Sequence, residues 1–133
     1  MKDKEVIIMI FVYPAVFHRE EDAYWVEFPD LVGCHTFGSS IPETMESAQE
    51  ALSAYLLTLL EQSRPLAAPS DLSALHPDDG FATLVSCSVD HYKDTKAVKK
   101  TLTIPAWLND RAAAMGLNFS KVLQDALIAK IQV

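Results

Sequence analysis

The residues best suited to recognition chemistry stand near the end of the chain, where one lysine and two threonines alternate with other residues. A strand sends successive side chains to opposite faces, so Lys99, Thr101 and Thr103 share one face while Leu102 and Ile104 share the other. Lysine and threonine can hydrogen-bond base edges and phosphates, and a two-stranded ribbon fits the major groove. The pattern therefore predicts a DNA-reading strand that needs a second copy of the chain to complete the ribbon.

Two short helical patterns follow this strand, and residues 98–133 resemble the ribbon-helix-helix (Arc/MetJ-type) repressors. The resemblance rests on the Lys-x-Thr-x-Thr face, on the proline that follows it and on a Gly-x-x-x-Ser helix junction. It implies that Lys99, Thr101 and Thr103 face the bases. It also implies that the amides at the start of the second helix hold a phosphate, at Asn118, Phe119 and Ser120.

Two points about this segment stay open in the sequence. Either Asn118 or Ser120 is a suitable N-cap for the second helix. The alternative to a DNA-binding strand is an ordinary solvated edge strand on a small helical domain, because lysine and threonine are common on exposed strand faces.

The charge of the chain is divided unevenly along its length. The 133 residues carry a formal net charge of −7, and half of them are apolar, which excludes a disordered chain. Residues 1–97 hold 6 Lys/Arg against 16 Asp/Glu, whereas residues 98–133 hold 5 against 2. This asymmetry indicates two partners of opposite character: nucleic acid for the back, and a basic protein for the front unless its acidity serves only solubility.

Neither a membrane segment nor a metal motif is expected. The apolar run Val6–Val12 is well short of the ~20 residues that a bilayer requires, and nearby acidic residues disfavour a secretory signal. Cys34 and Cys87 fit no metal or redox spacing, so both are predicted to be small buried hydrophobes. These features favour a cytoplasmic protein without a cofactor.

The front part predicts a βββαβ unit. Strands are expected over residues 5–18, 24–28 and 34–38, followed by a long helix over 42–62 and a last strand over 81–89. The helix begins with a capping-box spacing and a proline in its first turn. We expect an α+β fold with a front domain at 1–90, a linker at 91–97 and a βαα domain at 98–133.

The front part also resembles the HicB antitoxins of bacterial toxin–antitoxin pairs. The resemblance rests on the segments Tyr13–Phe17, Tyr24–Leu31 and Gly33–Gly38 and on the helix that follows, and with the back part it covers almost the whole chain. It implies a partial RNase H-like fold in front and a ribbon-helix-helix domain behind. It further implies neutralisation of a small basic mRNA-cleaving toxin, HicA, and repression of the pair's own promoter.

Catalysis is not expected, although an RNase H-like topology raises the question of a metal-dependent nuclease. Within the first strand, the stretch Val6–Phe17 contains no acidic residue. Glu27 and Asp30 flank the second strand, and Glu43, Glu46 and Glu50 lie along one side of the helix. We interpret these carboxylates as a solvated acidic surface and predict neither a catalytic residue nor a metal site.

Strand alternation places Tyr24 and Val26 on one face and Trp25 and Glu27 on the other. Aromatic side chains are enriched in binding hot spots, so Trp25, Glu27 and Asp30 are the predicted toxin-facing residues. A homodimer, which could pair into a tetramer on DNA, is expected to bury the apolar side chains of the back part. These are Leu102, Ile104, Trp107, Leu108, Met115, Leu117, Phe119, Val122, Leu123 and Leu127.

One alternative function is compatible with the same sequence. The chain could be a stand-alone ribbon-helix-helix transcription regulator whose front domain senses a ligand or another protein. Only the front part distinguishes this hypothesis from an antitoxin.

Overall fold

The computed structural model of the chain describes residues 8–90 and 98–132. The predicted linker at 91–97 lies outside these described residues. The elements in chain order are β1 (Ile8–Glu20), β2 (Ala23–Glu27), β3 (His35–Gly38), α1 (Ile41–Glu61), a short 3-10 helix (Leu72–Ala74), β4 (Gly80–Asp90), α2 (Ala106–Ala114) and α3 (Phe119–Ile131). The mixed α+β class and the βββαβ order of the front part are therefore confirmed.

The four strands form one antiparallel sheet in the order β3-β2-β1-β4, and α1 packs on one of its faces. β1 pairs with β4 from Ile8 to His18 but with β2 only from Val16 to Glu20. The polar turn expected between the first two strands is shorter than predicted. It shrinks to Glu21 and Asp22 because both strands extend into it, and Glu21 adopts a left-handed φ of 46°.

Pro14 lies within β1 without interrupting it. The carbonyl of Ile10 points away from β4, since it accepts a hydrogen bond from the side-chain amide of Gln132. Residues of the same parity direct their backbone groups to the same edge, so the nitrogen of Pro14 also points away from β4. At that position β1 has no β2 residue beside it, and the missing N–H of proline breaks no sheet hydrogen bond.

The core of the front part lies between the sheet and α1. Alternate residues of β1 point toward α1 and are fully buried, among them Phe11, Tyr13 and Phe17. They pack with Leu52 and Leu56 of the helix in one hydrophobic cluster. Burying a large apolar side chain contributes roughly 1.5–3 kcal/mol, so this alternation fixes which face of β1 the helix covers.

The helix α1 begins one residue earlier and ends one residue earlier than predicted. The hydroxyl of Ser40 accepts a hydrogen bond from the Glu43 amide at 3.2 Å, as expected for an N-cap. The Glu43 carboxylate accepts from the Ser39 hydroxyl at 2.6 Å. The structure thus forms the first half of the predicted capping box and uses Ser39 as a further partner.

Two features secure β4 at the edge of the sheet. Gln49 donates to the carbonyl of Ser86 at 3.0 Å, and Ser53 donates to the carbonyl of Ser88 at 3.2 Å, so side chains of α1 occupy outward acceptors of the strand. Gly80 begins β4 against β1, where a Cβ atom would lie 1.7 Å from the Phe17 carbonyl oxygen. Only glycine allows that close approach.

In the back part, both predicted helices form but the predicted strand does not. Residues 98–105 lie in neither a helix nor a strand. The physical reason is that a strand requires a neighbouring strand, and a single copy of the chain offers none here. α2 ends at Ala114, and Gly116 follows it with a φ of 71°, which suits a left-handed C-terminal cap. The Leu117 amide donates to the Ala112 carbonyl at 3.1 Å.

Candidate interaction surfaces

The sheet face opposite α1, here called the outer face, carries the two predicted residues of β2. Trp25 pairs across the strands with Phe37 and Glu27 pairs with His35, whereas Val26 is buried in the core. The alternation predicted for β2 is therefore confirmed. Trp25 and Glu27 are both partly exposed on the outer face, where a partner could reach them.

His18 organises the centre of this outer face. Its Nδ1 lies 2.7 Å from Asp79 Oδ1, and its Nε2 lies 3.3 Å from Glu27 Oε1. Its ring stacks on the indole of Trp25 with centroids 4.0 Å apart and an interplanar angle of 16°. Burial disfavours the charged imidazole, but hydrogen bonds to Asp79 and Glu27 outweigh this effect and raise the pKa of His18.

Asp30, the third residue predicted to face a toxin, has a different local role. Its carboxylate accepts from the Ser70 amide at 2.9 Å and also from the Ser70 hydroxyl. Nearby, the hydroxyl of Tyr13 donates to the carbonyl of Ala67 at 2.6 Å. These bonds fasten the long connection between α1 and β4 to the sheet, so Asp30 is engaged in holding the fold together.

Negative charge dominates the surface of the front part. Residues 8–90 contain 13 Asp/Glu and only 2 Lys/Arg. Among the described residues, the ion pairs that involve these carboxylates are those of Glu27 and Asp79 with His18. The turn residues Glu20, Glu21 and Asp22 are all exposed. The front part thus presents many unneutralised carboxylates to a partner.

Within residues 8–90 and 98–132, no group of three His, Cys, Asp or Glu side chains is placed to hold a metal ion. The prediction that Cys34 and Cys87 are buried is confirmed. Burial raises the pKa of both thiols to about 11, which keeps them protonated near neutral pH. In the same ranges, no helix combines the length and the apolar character that crossing a membrane requires.

The predicted DNA-facing residues are accessible. Lys99, Thr101 and Thr103 are all exposed in the segment ahead of α2. Of the two N-cap candidates for α3, the structure uses Asn118, whose side-chain oxygen accepts from the Lys121 amide at 3.1 Å. Phe119 and Ser120 then form the first turn, both exposed.

The back part contains no buried residue in either of its helices. Trp107, for example, is 69% exposed, a large value for the largest apolar side chain. One side of α3 contacts the front part through Ile128, which packs against the core cluster, and through Gln132. All ten side chains predicted to be buried on dimerisation are exposed in the single chain: Leu102, Ile104, Trp107, Leu108, Met115, Leu117, Phe119, Val122, Leu123 and Leu127.

The sequence analysis did not predict three residues that contribute to the outer face. His18 and Asp79 are 61 residues apart, so their contact carries no local signal. Phe37 could have been found, because strand alternation in the predicted third strand places it on the same face as His35.

Comparison with known proteins identifies the class to which this fold and these surfaces correspond. The family model for the HicB-like antitoxin of bacterial toxin–antitoxin systems matches residues 13–126. The chain belongs to this family. The resemblance seen in the sequence is thereby confirmed for the antitoxin family.

Individual relatives agree with this assignment. A 14.9 kDa protein of the rep-hol intergenic region of Haemophilus phage HP1 is 32% identical over 104 residues, which cover 75% of this chain and 77% of the phage protein. A chain of a toxin–antitoxin complex from Streptococcus pneumoniae is 32% identical, with a TM-score of 0.53 and coverage of 92% and 99% of the two chains. The antitoxin HicB of Burkholderia pseudomallei is 22% identical, with a TM-score of 0.57 and the same coverage, and shows the shared fold.

Proposed function

We propose that this antitoxin neutralises a HicA-type toxin with its front part and represses its own promoter with its back part. The observation that carries the proposal is the opposite charge of the two parts, with 13 acidic against 2 basic residues in 8–90 and 5 basic against 2 acidic residues in 98–133. The first balance suits a basic protein and the second suits DNA.

Inhibition proceeds by occlusion. A toxin that cleaves mRNA must bind the phosphate backbone through basic side chains, and a carboxylate-rich protein competes for the same charges. The front domain, residues 1–90 with a partial RNase H-like fold, supplies these carboxylates. In this scheme the antitoxin blocks a surface and performs no reaction of its own. Support comes from the S. pneumoniae relative, whose structure is described as a toxin–antitoxin complex.

DNA binding requires two copies of the chain. Residues 98–133 form a ribbon-helix-helix domain in which the segments around Thr101 of two chains pair as antiparallel strands. The pairing covers the exposed apolar side chains of α2 and α3, which a single chain leaves in water. Two such dimers on neighbouring half-sites form a tetramer, which raises the affinity of a small DNA-binding unit.

The paired strands place one recognition face in the major groove. Lys99 and Thr101 hydrogen-bond base edges together with Thr103. The first turn of α3, at Asn118, Phe119 and Ser120, binds a backbone phosphate with its free amides. The phosphate contact sets the position of the dimer, and the strand face selects the sequence.

The toxin-binding half of the proposal is tested by co-expression with a HicA-type toxin, which we expect as a small basic protein encoded beside this chain's gene. We expect a truncation that ends at Asp90 to preserve growth, because the buried core cluster lies within residues 9–89. The full-length wild-type chain serves as the positive control. Growth arrest by the truncation, with equal amounts of folded protein, would contradict a toxin-binding role for the front part.

The DNA-binding half is tested with the combined variant Lys99→Ala and Thr101→Ala on the chain's own promoter. We expect binding to weaken at least about 10-fold and to depend less steeply on salt, because one cation is removed from the DNA-facing surface. Lys130→Ala removes the same charge at the far end of α3 and is the matched control. Unchanged promoter binding by the double variant would overturn the assignment of this strand face.

A further inference from the structure

The outer face of the sheet carries a shallow groove with an exposed aromatic pair at its centre. On this face the groove is lined by Glu20, Trp25, His35 and Phe37, and Tyr24 reaches it from the opposite face at the end of the sheet. We propose that this groove is the surface with which the antitoxin binds its toxin. The toxin inserts into it an apolar side chain that is flanked by basic side chains. The inference rests on the proposed function and specifies the surface that performs it.

Phe37 is the first reason for this location. It lies on the edge strand β3 and is 76% exposed, beside its cross-strand neighbour Trp25. Aromatic side chains at the centre of a patch supply most of the binding energy in protein interfaces. A pair of them on a sheet face that no helix covers is therefore a suitable anchor for a partner.

Trp25 is the second reason, because its position is already fixed before binding. Its ring stacks on His18, and His18 is held from both sides by Asp79 and Glu27. A side chain that is ordered in the free protein loses little conformational entropy when a partner packs on it. The ion pairs of His18 thus prepare the aromatic surface for contact.

The charge around the groove decides which partner fits. Glu20, Glu21 and Asp22 form the β1–β2 turn, and Asp78 and Asp79 lie beside Glu21 at the same end of the sheet. The Arg19 guanidinium also lies at this end of the sheet, 5.5 Å from the centroid of the Tyr24 ring. Such a rim repels nucleic acid and attracts a protein surface rich in lysine and arginine.

A second apolar area on the outer face lacks this charge. Ile10, Val12 and Leu84 are exposed there, and their cross-strand partners on the same face are Ser88, Ser86 and Pro14. Without a carboxylate among these side chains, the area offers nothing specific to a basic partner. It therefore serves as the internal control for the groove.

The aromatic anchor is tested by measuring the dissociation constant between the full chain and a catalytically inactive variant of the HicA-type toxin used in the co-expression test. We expect Phe37→Ser to raise the dissociation constant about 30-fold, as loss of a hot-spot aromatic does. Leu84→Ser removes a comparably exposed side chain from the uncharged area and should change it less than about threefold. Thermal unfolding of each variant verifies that the fold is intact.

The acidic rim is tested with the same toxin and the triple variant Glu20→Gln, Glu21→Gln and Asp22→Asn. We expect association to slow about 10-fold at low salt and the salt dependence to flatten. The control variant also loses three negative charges, because three exposed glutamates of α1 are changed to glutamine. Its association rate with the toxin should stay within about threefold of the wild-type rate. The changed positions are Glu46, Glu50 and Glu61.

The outcomes separate the groove from the broader proposal. Tight binding by Phe37→Ser and by the rim variant would overturn the groove while leaving the toxin-binding function intact, as would equal losses in the control variants. Failure of the wild-type chain to bind the toxin at all would overturn the proposed function and the groove with it.

Discussion

The front and back parts of this chain differ in what a single copy can complete. In the front part, the buried cluster is built from residues 9–89 of the same chain. In the back part, neither helix buries a residue, although both helices are regular and Asn118 caps the start of α3. The front part thus contains a complete hydrophobic core, whereas the back part leaves its apolar side chains exposed in a single chain.

This difference teaches that the two parts respond to different variables. A domain with its own core has a stability set by temperature and solvent, whereas a domain completed by a partner has a stability set also by protein concentration. The contact of Ile128 and Gln132 with the front part is too small to replace a second copy. The predictions that follow separate these two behaviours.

The largest effect is expected for a truncation in the core of the front part. Leu52 is fully buried between α1 and the sheet, so Leu52→Ala should lower the free energy of unfolding by about 2–5 kcal/mol. Urea unfolding followed by tryptophan fluorescence measures this loss. We expect the front transition of the variant to be independent of protein concentration. A loss below about 1 kcal/mol would show that this core is not the source of stability.

A charge placed in the back part should act on assembly instead. Leu123 lies in the exposed apolar stripe of α3, and Leu123→Lys would bury an unpaired charge in the proposed dimer, at a cost of several kcal/mol. Sedimentation should show a dimer for the wild type and a monomer for the variant at the same concentration. Leu84→Lys, on the front part, is the control and should remain dimeric. A wild type that sediments as a monomer would contradict the pairing of the back parts.

A smaller effect is expected from His18 and pH. Because the folded state raises the pKa of this imidazole, the ion pairs with Asp79 and Glu27 contribute fully below the unfolded value of about 6.5. This contribution is lost as the pH rises through the higher folded-state pKa. Since both carboxylates are substantially exposed, the contribution is below about 1 kcal/mol.

The measurement compares the free energies of urea unfolding of the wild type and of His18→Gln between about pH 6 and pH 8. The stability difference between the two proteins should be largest near pH 6 and shrink toward pH 8. A difference that grows with pH would mean that the sign of the linkage is wrong.

The smallest effect concerns thiol chemistry. Burial holds Cys34 and Cys87 protonated, with each pKa raised to about 11. We expect both to react with a maleimide far more slowly than a thiol introduced at Val32, which is 88% exposed. Labelling of the native cysteines should follow the opening of the front part and be insensitive to Leu123→Lys. Rapid labelling in both proteins would indicate that the front core opens easily.

Much of the front part could be predicted because its patterns are local. The strand character of β1 and the cap at Ser40 are properties of neighbouring residues, and the structure reproduces both. The errors at element ends also have a local cause. The β1–β2 turn is tighter than its polar sequence indicates, because strand pairing continues through Glu20 and Ala23.

The candidate surface was harder to predict because it depends on distant contacts. Asp30 has the same charge as Glu27 and lies three residues away, yet it is fastened to Ser70, 40 residues along the chain. No pattern in the sequence separates the carboxylate that faces a partner from the one that holds a loop. The strand predicted at residues 98–104 poses a different difficulty, since the single chain does not form it and its hydrogen-bond partners in the proposed dimer would belong to another molecule.

The bonds from Gln49 and Ser53 to β4 have a consequence for the assembled protein. In the proposed dimer, association of the back parts holds two front sheets at a high effective concentration. Unprotected edge strands would then pair with each other and join sheets into polymers. Helix side chains already occupy the outward carbonyls of Ser86 and Ser88. The outer edge of β4 is therefore protected from pairing with β4 of the second copy. In the proposed dimer, the back parts can then associate without the front sheets polymerising through this edge.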